Sequence, residues 1–228
     1  KLASSRSYRK KSGEYLCDGT KLLDEALKWG APVQTAVFSD GVEIPTLPDT
    51  VRAVRVSEDL MRSVSPMETP QGALFTVALP ETKLPETLAG KHYLVLDGVQ
   101  DPGNVGTILR TAAAANAGAV LLSEGSVDVY NDKTIRSAMG AIFKVPVVQD
   151  VTDEQLDQFC ADEDRQVYGT APEGSISYVD ADYSQPVILA FGNEGNGLPE
   201  PFLACCDDVL TIPMRPDTES LNLSMSVG

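Results

Sequence analysis

Three loops of this sequence carry residue types that can bind a ligand and perform chemistry. The first runs from Asp97 to Gly106, the second from Gly192 to Pro199, and the third from Ile212 to Asn222. Each follows a short apolar run that is typical of a buried strand. Ligands of open α/β sheets gather at the carboxyl ends of strands, and glycines let the backbone approach a ligand closely. These loops are therefore the candidate binding site.

The first loop leads into a helix that is predicted to begin near Asn104, where free backbone N–H groups can bind an anion. Arg110 follows six residues later. Six residues turn an ideal helix by about 240° beyond one full turn, so spacing alone does not place both side chains on one face. If Asn104 precedes the helix, the two side chains can still converge.

Both glycine-containing loops have a simpler interpretation. The first could be a dinucleotide-binding turn, but its glycines at 98, 103 and 106 do not form the GxGxxG fingerprint. The second, taken alone, reads as a plain turn rich in left-handed conformations. The first alternative predicts a nucleotide-dependent oxidoreductase.

Helices and strands that position these loops can be predicted from periodicity and capping signals. Before residue 80 we expect one helix at Gly19–Trp29 and a second that is capped by Ser57 and runs through Val64. In the same part we expect strands at Thr35–Ser39, Val51–Val56 and Gly72–Leu79. After residue 92 strands and helices alternate, which indicates an α/β fold with a mostly parallel sheet and helices on both faces. The strands are expected at Tyr93–Leu96, Ala119–Leu122, Val145–Val148, Val167–Thr170, Val187–Phe191 and Val209–Pro213, and the helices at Val105–Ala117, Lys133–Met139, Asp153–Cys160, near Pro199–Cys205 and from Ser220.

Charge divides the chain into the same two parts. Residues 1–80 carry 10 Lys and Arg against 10 Asp and Glu, whereas residues 81–228 carry 8 against 23. We expect a domain at 1–80 with a basic arm at Lys1–Lys11, a proline-containing linker at 81–91, and an acidic domain at 92–228. The first part is then the one that meets a polyanion, unless the arm is only a solvated, frayed terminus.

Composition also limits the cellular setting. The chain has no apolar run of 18 residues and no apolar signal segment at its start, so no membrane span or secretory signal is expected. Its four cysteines show no CxxC spacing, which favours a reduced, cytoplasmic protein. His92 is the only histidine, so a zinc site is not expected, and we predict a structural or surface role for it.

Taken together, the three loops resemble the three signature motifs of the SpoU (TrmH) family of RNA 2′-O-ribose methyltransferases, in the SPOUT superfamily. The segments are DGVQDPGNVGTILRTAAAANA at 97–117, LAFGNEGNGLP at 189–199 and IPMRPDTESLN at 212–222. Residues 136–147 resemble the middle segment of the family. A weaker similarity at residues 13–80 indicates the small α/β RNA-binding domain that often precedes the catalytic one.

The resemblance implies a knotted (trefoil) α/β catalytic domain, a homodimer, and S-adenosyl-L-methionine as the methyl donor. It assigns active-site positions to Asn104, Arg110, Glu194, Ser220 and Asn222. It also implies cofactor contacts at eight positions, namely Phe191, Gly192, Asn193, Ile212, Pro213, Met214, Ser220 and Leu221. Glu194 is expected to order the second loop by accepting N–H bonds, or else to be an exposed turn carboxylate. Ser220 and Asn222 are expected to bond to cofactor, substrate or the second loop.

The reaction implied by this resemblance is the attack of a ribose 2′-hydroxyl on a sulfonium methyl group, which needs alignment and loss of a proton but no metal. We expect Arg110 to hold a neighbouring phosphate and to stabilise developing negative charge, because a guanidinium keeps its proton up to about pH 12 and is a poor base.

The sequence leaves open which RNA is the substrate and whether the protein is catalytic. The preceding RNA-binding domain favours ribosomal RNA, with transfer RNA as the alternative target. A non-catalytic RNA-binding homologue is a further alternative, disfavoured because such a protein has no need of the full residue set. The sequence departs from the family in ending at Gly228, so the C-terminal helix is expected to be incomplete.

Overall fold

The structure is a computed structural model that describes residues 1–162 and 165–228. It divides into two compact units. Unit 1 comprises Lys1–Glu81 and Asp128–Lys144, and unit 2 comprises Thr82–Val127 and Val145–Gly228. The chain therefore leaves unit 2 after residue 127 and returns to it at residue 145.

Unit 1 is built on a four-stranded sheet with the order β1-β4-β2-β3. Strand β4 is antiparallel to both of its neighbours, whereas β2 and β3 are parallel. The strands are β1 (Glu14–Asp18), β2 (Val33–Ser39), β3 (Arg52–Val56) and β4 (Ala73–Ala78), and the helices are α1 (Arg6–Ser12), α2 (Thr20–Lys28), α3 (Glu58–Val64) and α5 (Asp132–Ala138), with a 3-10 turn at Ala141–Phe143.

Segment 128–144 is held to the N-terminal residues by buried and half-buried contacts. The Arg9 guanidinium pairs with Asp128, and the two side chains are only 5% and 10% exposed. The rings of Tyr15 and Tyr130 lie 4.7 Å apart between centroids. A segment that sequence places among the elements of the methyltransferase half thus completes the packing of unit 1.

The first residues form an element that sequence periodicity did not predict. Ser5 caps α1 by accepting the N–H of Tyr8, and the left-handed Gly13 ends the helix. The alternative of a frayed terminus is therefore wrong. Arg9 belongs to the basic arm that was predicted to bind RNA, but it is buried in its ion pair and therefore stabilises the fold instead.

Within the described residues, unit 2 holds a seven-stranded sheet with the order β7-β6-β5-β10-β8-β11-β9, and all its pairs are parallel. The strands are β5 (Tyr93–Leu96), β6 (Val120–Ser123), β7 (Val147–Val151), β8 (Gln166–Thr170), β9 (Ile176–Ser177), β10 (Val187–Phe191) and β11 (Asp208–Thr211), and the helices are α4 (Pro102–Ala114), α6 (Asp153–Cys160), α7 (Glu200–Ala204) and α8 (Leu223–Val227). No helix among the described residues is long and apolar enough to cross a membrane.

The central strands of unit 2 are covered on both faces. All four residues of β5 and all four of β6 are buried, as continuous apolar runs in a parallel sheet should be. Helix α6 packs Leu156 and Phe159 into this core, together with Tyr93, Val95, Leu121, Val167 and Ile188. The predicted mostly parallel α/β architecture is thus present.

Candidate active site

The first two loops are neighbours because their strands pair directly. Leu96 and Phe191 are partners at the ends of β5 and β10, and the N–H of Asp97 donates to the carbonyl of Phe191 at 2.8 Å. The order of the strands in the sheet reverses at this point, because β6 and β7 follow on the β5 side and β8 lies on the β10 side. Such a switch point is where open α/β sheets form their ligand crevice.

Helix α4 begins within the first loop, earlier than the sequence predicts. Asp101 caps it by accepting the N–H of Asn104 at 2.7 Å, and Pro102 occupies the first turn, where a missing N–H costs nothing. Asn104 is therefore the third residue of the helix, and the alternative that it lies in the preceding loop is wrong.

Asn104 and Arg110 lie on different faces of α4. Asn104 is 8% exposed and belongs to the buried side of the helix, whereas Arg110 is exposed. The Arg110 side chain makes no hydrogen bond or ion pair with any residue in 1–162 or 165–228. Its guanidinium is consequently available to a ligand from solution.

The Glu194 carboxylate bridges the second loop to the first. Its Oε2 accepts the N–H of Gln100 at 3.1 Å, and its Oε1 accepts the N–H of Asp101 at 3.0 Å. Oε1 also accepts the Asn104 side-chain amide at 3.2 Å. Burial opposes ionisation of Glu194, but these N–H donors outweigh it and hold its pKa below the ordinary value. Glu194 is exposed and lies in a turn, as the alternative held, but its carboxylate is hydrogen-bonded, and the loop that it orders is the first and not the second.

Asn222 extends the same network to the third loop. Its Nδ2 donates to Oδ1 of Asn104 at 3.0 Å, and its own Oδ1 accepts the N–H of Ser224, which caps α8. Asn222 therefore bonds to α4 and not to the second loop. Asn222, Asn104 and Glu194 form one hydrogen-bonded chain that connects all three loops.

The side chain of Asn193 provides a second connection between the first two loops, which the sequence pattern did not predict. Its Nδ2 donates to the Gly98 carbonyl at 2.8 Å, while its Oδ1 accepts the N–H groups of Gly195 and Asn196 at 2.9 and 3.1 Å. One amide thereby fixes the turn of the second loop and attaches it to the first.

Two residues that sequence reasoning passed over also support the first loop. The N–H of Gly98 donates to Ser123 Oγ at 2.8 Å, and Ser123 is 2% exposed at the end of β6. The Gln100 side chain bonds to the carbonyls of Gly98 and Gly125. The sequence signal for Ser123 was its place at the carboxyl end of a strand adjacent to β5.

The predicted cofactor residues fall into two groups, one at the end of β10 and one after β11. Phe191 and Gly192 are buried, and a Cβ on Gly192 would lie 2.0 Å from the carbonyl carbon of Gly197, so only glycine fits the close approach there. Asn193 follows them in the second loop and is half-buried, and the other five lie after β11 without regular structure. In this second group Ile212 and Met214 are half-buried, and Pro213, Ser220 and Leu221 are exposed.

His92 has the structural role expected of it, since its Nδ1 accepts the N–H of Val187 at 3.2 Å. All four cysteines are free thiols, and Cys17 and Cys160 are buried. Burial raises the pKa of Cys160 to about 12, so this thiol stays protonated at neutral pH.

Comparison with known proteins identifies this arrangement. A model of the SpoU rRNA methylase family matches residues 91–228, more than half of the chain. The chain belongs to the SpoU rRNA methylase family. A model of the MRM3-like substrate binding domain matches residues 1–74. The family assignment confirms the prediction made from the three motifs, and it implies the trefoil knot predicted with them.

Similar proteins cover both parts of the SpoU-family chain. The 23S rRNA (guanosine(2553)-2′-O)-methyltransferase RlmP of Bacillus subtilis is 36% identical over 229 residues, which cover 100% of this chain and 91% of RlmP. The SpoU methyltransferase AviRb of Streptomyces viridochromogenes, in complex with AdoMet, superposes with a TM-score of 0.89 at 26% identity, covering 99% of this chain and 91% of that one. An AdoMet-bound rRNA methyltransferase of Sinorhizobium meliloti superposes with a TM-score of 0.88 at 28% identity, covering 99% and 88%.

Proposed function

We propose that this SpoU-family chain transfers a methyl group from S-adenosylmethionine to a ribose 2′-hydroxyl of ribosomal RNA. The observation that carries the proposal is the hydrogen-bonded chain of Asn222, Asn104 and Glu194, which connects three loops and anchors the helix that carries Arg110. The match to RlmP over the full chain supports ribosomal RNA as the substrate.

The residues after β11 fit the cofactor by the chemistry of their free groups. Within the described ranges, the backbone N–H and carbonyl groups of Met214, Ser220 and Leu221 form no hydrogen bond. Such groups can bind the adenine edge and the carboxylate and ammonium of S-adenosylmethionine without introducing a charged side chain. Bound S-adenosylmethionine supplies an electrophilic methyl group on a sulfonium. The other residues that we propose to hold this cofactor are Phe191, Gly192, Asn193, Ile212 and Pro213.

The chain's own contribution is alignment and charge stabilisation. The network fixes the start of α4, so Arg110 projects from a helix whose first turn is anchored to two other loops. Its planar guanidinium can hold a phosphate beside the target ribose with two parallel hydrogen bonds and stabilise the hydroxyl oxygen as it loses its proton. Ser220 is exposed on the third loop and is proposed to contact cofactor or ribose.

The proton of the hydroxyl has no strong protein base to receive it among the five proposed active-site residues. Glu194 is the only carboxylate of the set, and its oxygens are already occupied by three donors. We therefore assign Glu194 to positioning, and solvent to the final acceptance of the proton.

We also propose that the protein is a homodimer and that it works in the cytoplasm. A homodimer is supported by exposed apolar side chains at the C-terminal end of unit 2, where Leu221 is 43% and Met225 71% exposed. A reducing, cytoplasmic location is supported by the four unpaired thiols. Light scattering of the purified protein measures the first property directly, and a monomer at micromolar concentration contradicts it.

Calorimetric titration with S-adenosylmethionine, with NAD as control, tests the cofactor, and methyl transfer to unmodified 23S and transfer RNA tests the reaction. We expect binding of S-adenosylmethionine only, and label at a 2′-hydroxyl of 23S rRNA. Label in transfer RNA alone contradicts the substrate assignment. RNA binding without transfer, with RNA and cofactor both present, identifies a non-catalytic homologue.

Arg110→Lys separates the two functions of the guanidinium. Lysine keeps the positive charge but not the planar pair of donors, so we expect a loss of activity nearly as large as that of Arg110→Ala. Near-full activity of the lysine variant rules out bidentate phosphate recognition as the essential role.

A further inference from the structure

Unit 1 presents the only tryptophan of the chain on its surface. Trp29 follows the last residue of α2 and is 51% exposed. The Lys144 ammonium lies over its ring, 5.5 Å from the centroid. Because Lys144 occupies one side, the opposite side of the indole is the surface on which a planar group can stack.

The position of this ring is fixed by the turn of segment 128–144. Lys144 Nζ lies 2.7 Å from Oε2 of Glu25, which lies one turn before Trp29, so this ion pair holds the ammonium over the indole ring. Gly140 has a φ of +84° and would place a Cβ 3.3 Å from the Glu25 side chain. The close approach of residues 140–144 to α2 thus keeps Lys144 and Glu25 together beside the indole.

Charge favours this unit as the part that contacts a polyanion. Unit 1 carries 13 Lys and Arg against 13 Asp and Glu, whereas unit 2 carries 5 against 20. Lys28, which precedes Trp29 in the chain, and Lys144 are both exposed. An exposed aromatic ring flanked by lysines combines the two elements with which proteins bind single-stranded nucleic acid, namely a stacking surface and phosphate contacts.

We propose that Trp29, held by Lys144 and Glu25, is a stacking surface for an unpaired base of the substrate RNA, with Lys28 and Lys144 contacting the adjacent phosphates. This inference rests on the proposed function, because it assumes an RNA substrate. It adds that residues 140–144, from the methyltransferase half of the sequence, complete an RNA-binding surface of unit 1.

The single tryptophan makes stacking directly measurable. Trp29 fluorescence is recorded while the protein is titrated with a ten-nucleotide oligoadenylate, with unmethylated 23S rRNA, and with polyphosphate of equal charge. We expect strong quenching by both RNAs and little by polyphosphate, since only a base can stack on the indole. Equal quenching by polyphosphate, or none by RNA, overturns the proposal.

Variants then measure what the ring contributes to binding and activity. Trp29→Ala is expected to raise the Kd for 23S rRNA about ten-fold to a hundred-fold, the range for loss of one stacked base, and Trp29→Phe to recover part of that loss. The KM for S-adenosylmethionine is expected to stay unchanged. Tyr178→Ala is the matched control, because Tyr178 is 46% exposed on the acidic unit and should have no effect on RNA binding.

The outcomes separate this proposal from the proposed function. Methylation of 23S rRNA with equal efficiency by the parent protein and a folded Trp29→Ala variant overturns the stacking surface alone. A parent protein that methylates no RNA and binds none overturns both. Circular dichroism and thermal unfolding establish that each variant is folded, and Trp29→Phe provides the test if the alanine variant is not.

Discussion

Replacing Glu194 by glutamine removes the charge from a side chain that joins two loops while nearly preserving its shape. Oε1 accepts two donors, from Asp101 and Asn104, and Oε2 accepts the N–H of Gln100. A glutamine can place its carbonyl oxygen at only one of these positions. With the oxygen at the Oε1 position, its amide group faces the Gln100 N–H and that hydrogen bond is lost.

The size of the effect follows from the lost bond and the lost charge. A hydrogen bond to a charged group contributes about 1.5–3 kcal/mol, and solvent screening of the exposed Glu194 places the value near the lower end. We therefore expect the ordered loop arrangement to lose about 1–1.5 kcal/mol, which corresponds to roughly a five-fold to ten-fold fall in kcat/KM.

Two measurements check this expectation at different levels. Amide hydrogen exchange at Gln100 and Asp101 reports the loop contact directly and should accelerate in Glu194→Gln. Methyl transfer to 23S rRNA reports its consequence for activity. Glu200→Gln is the matched control, because Glu200 is an exposed residue of α7 outside the hydrogen-bonded network, and its substitution should leave both measurements unchanged.

The pH dependence follows from the direction of the pKa shift. The folded protein holds the pKa of Glu194 below its ordinary value, so the contribution of the carboxylate is complete above about pH 4.3 and is lost as pH falls through the lowered folded value. The ratio of parent to variant activity should therefore be constant from about pH 6 to pH 9. Unchanged exchange at both amides, together with activity within two-fold of the parent, would refute the assignment of Glu194 to positioning.

Three further predictions use other contacts of the described residues. Asn222→Ala and Asn104→Ala should each lower kcat/KM. Because both variants remove the same hydrogen bond between the two side chains, the double variant should lower kcat/KM by less than the product of the two single effects, and independent effects contradict the network. Arg9→Met should lower the free energy of unfolding of unit 1 by about 3–5 kcal/mol in urea titration, by leaving Asp128 buried without its partner. Adding Asp128→Asn should restore much of that stability, and no restoration contradicts the ion-pair explanation. Gly192→Ala should abolish S-adenosylmethionine binding in calorimetry, since its Cβ meets backbone at 2.0 Å; near-normal affinity would show that the second loop adapts freely.

Local signals in the sequence determined most elements of the fold. The strands at 93–96 and 187–191 and the helix at 153–160 have the predicted bounds, because apolar runs and a Thr152 cap mark their ends. Ser57 caps α3 as predicted. The three motifs were sufficient to identify the family, since loops that follow parallel strands gather at one edge of a sheet.

Contacts between distant residues were decided only by the tertiary structure. The sequence could not show that Glu194 orders the first loop, because its donors lie more than 90 residues earlier in the chain. It could not show that Arg9 is buried, since a basic residue near a terminus is removed from solvent only when a partner such as Asp128 neutralises it. Periodicity and capping act within a few residues along the chain, whereas hydrogen bonds across loops and ion pairs between segments depend on which surfaces folding brings together.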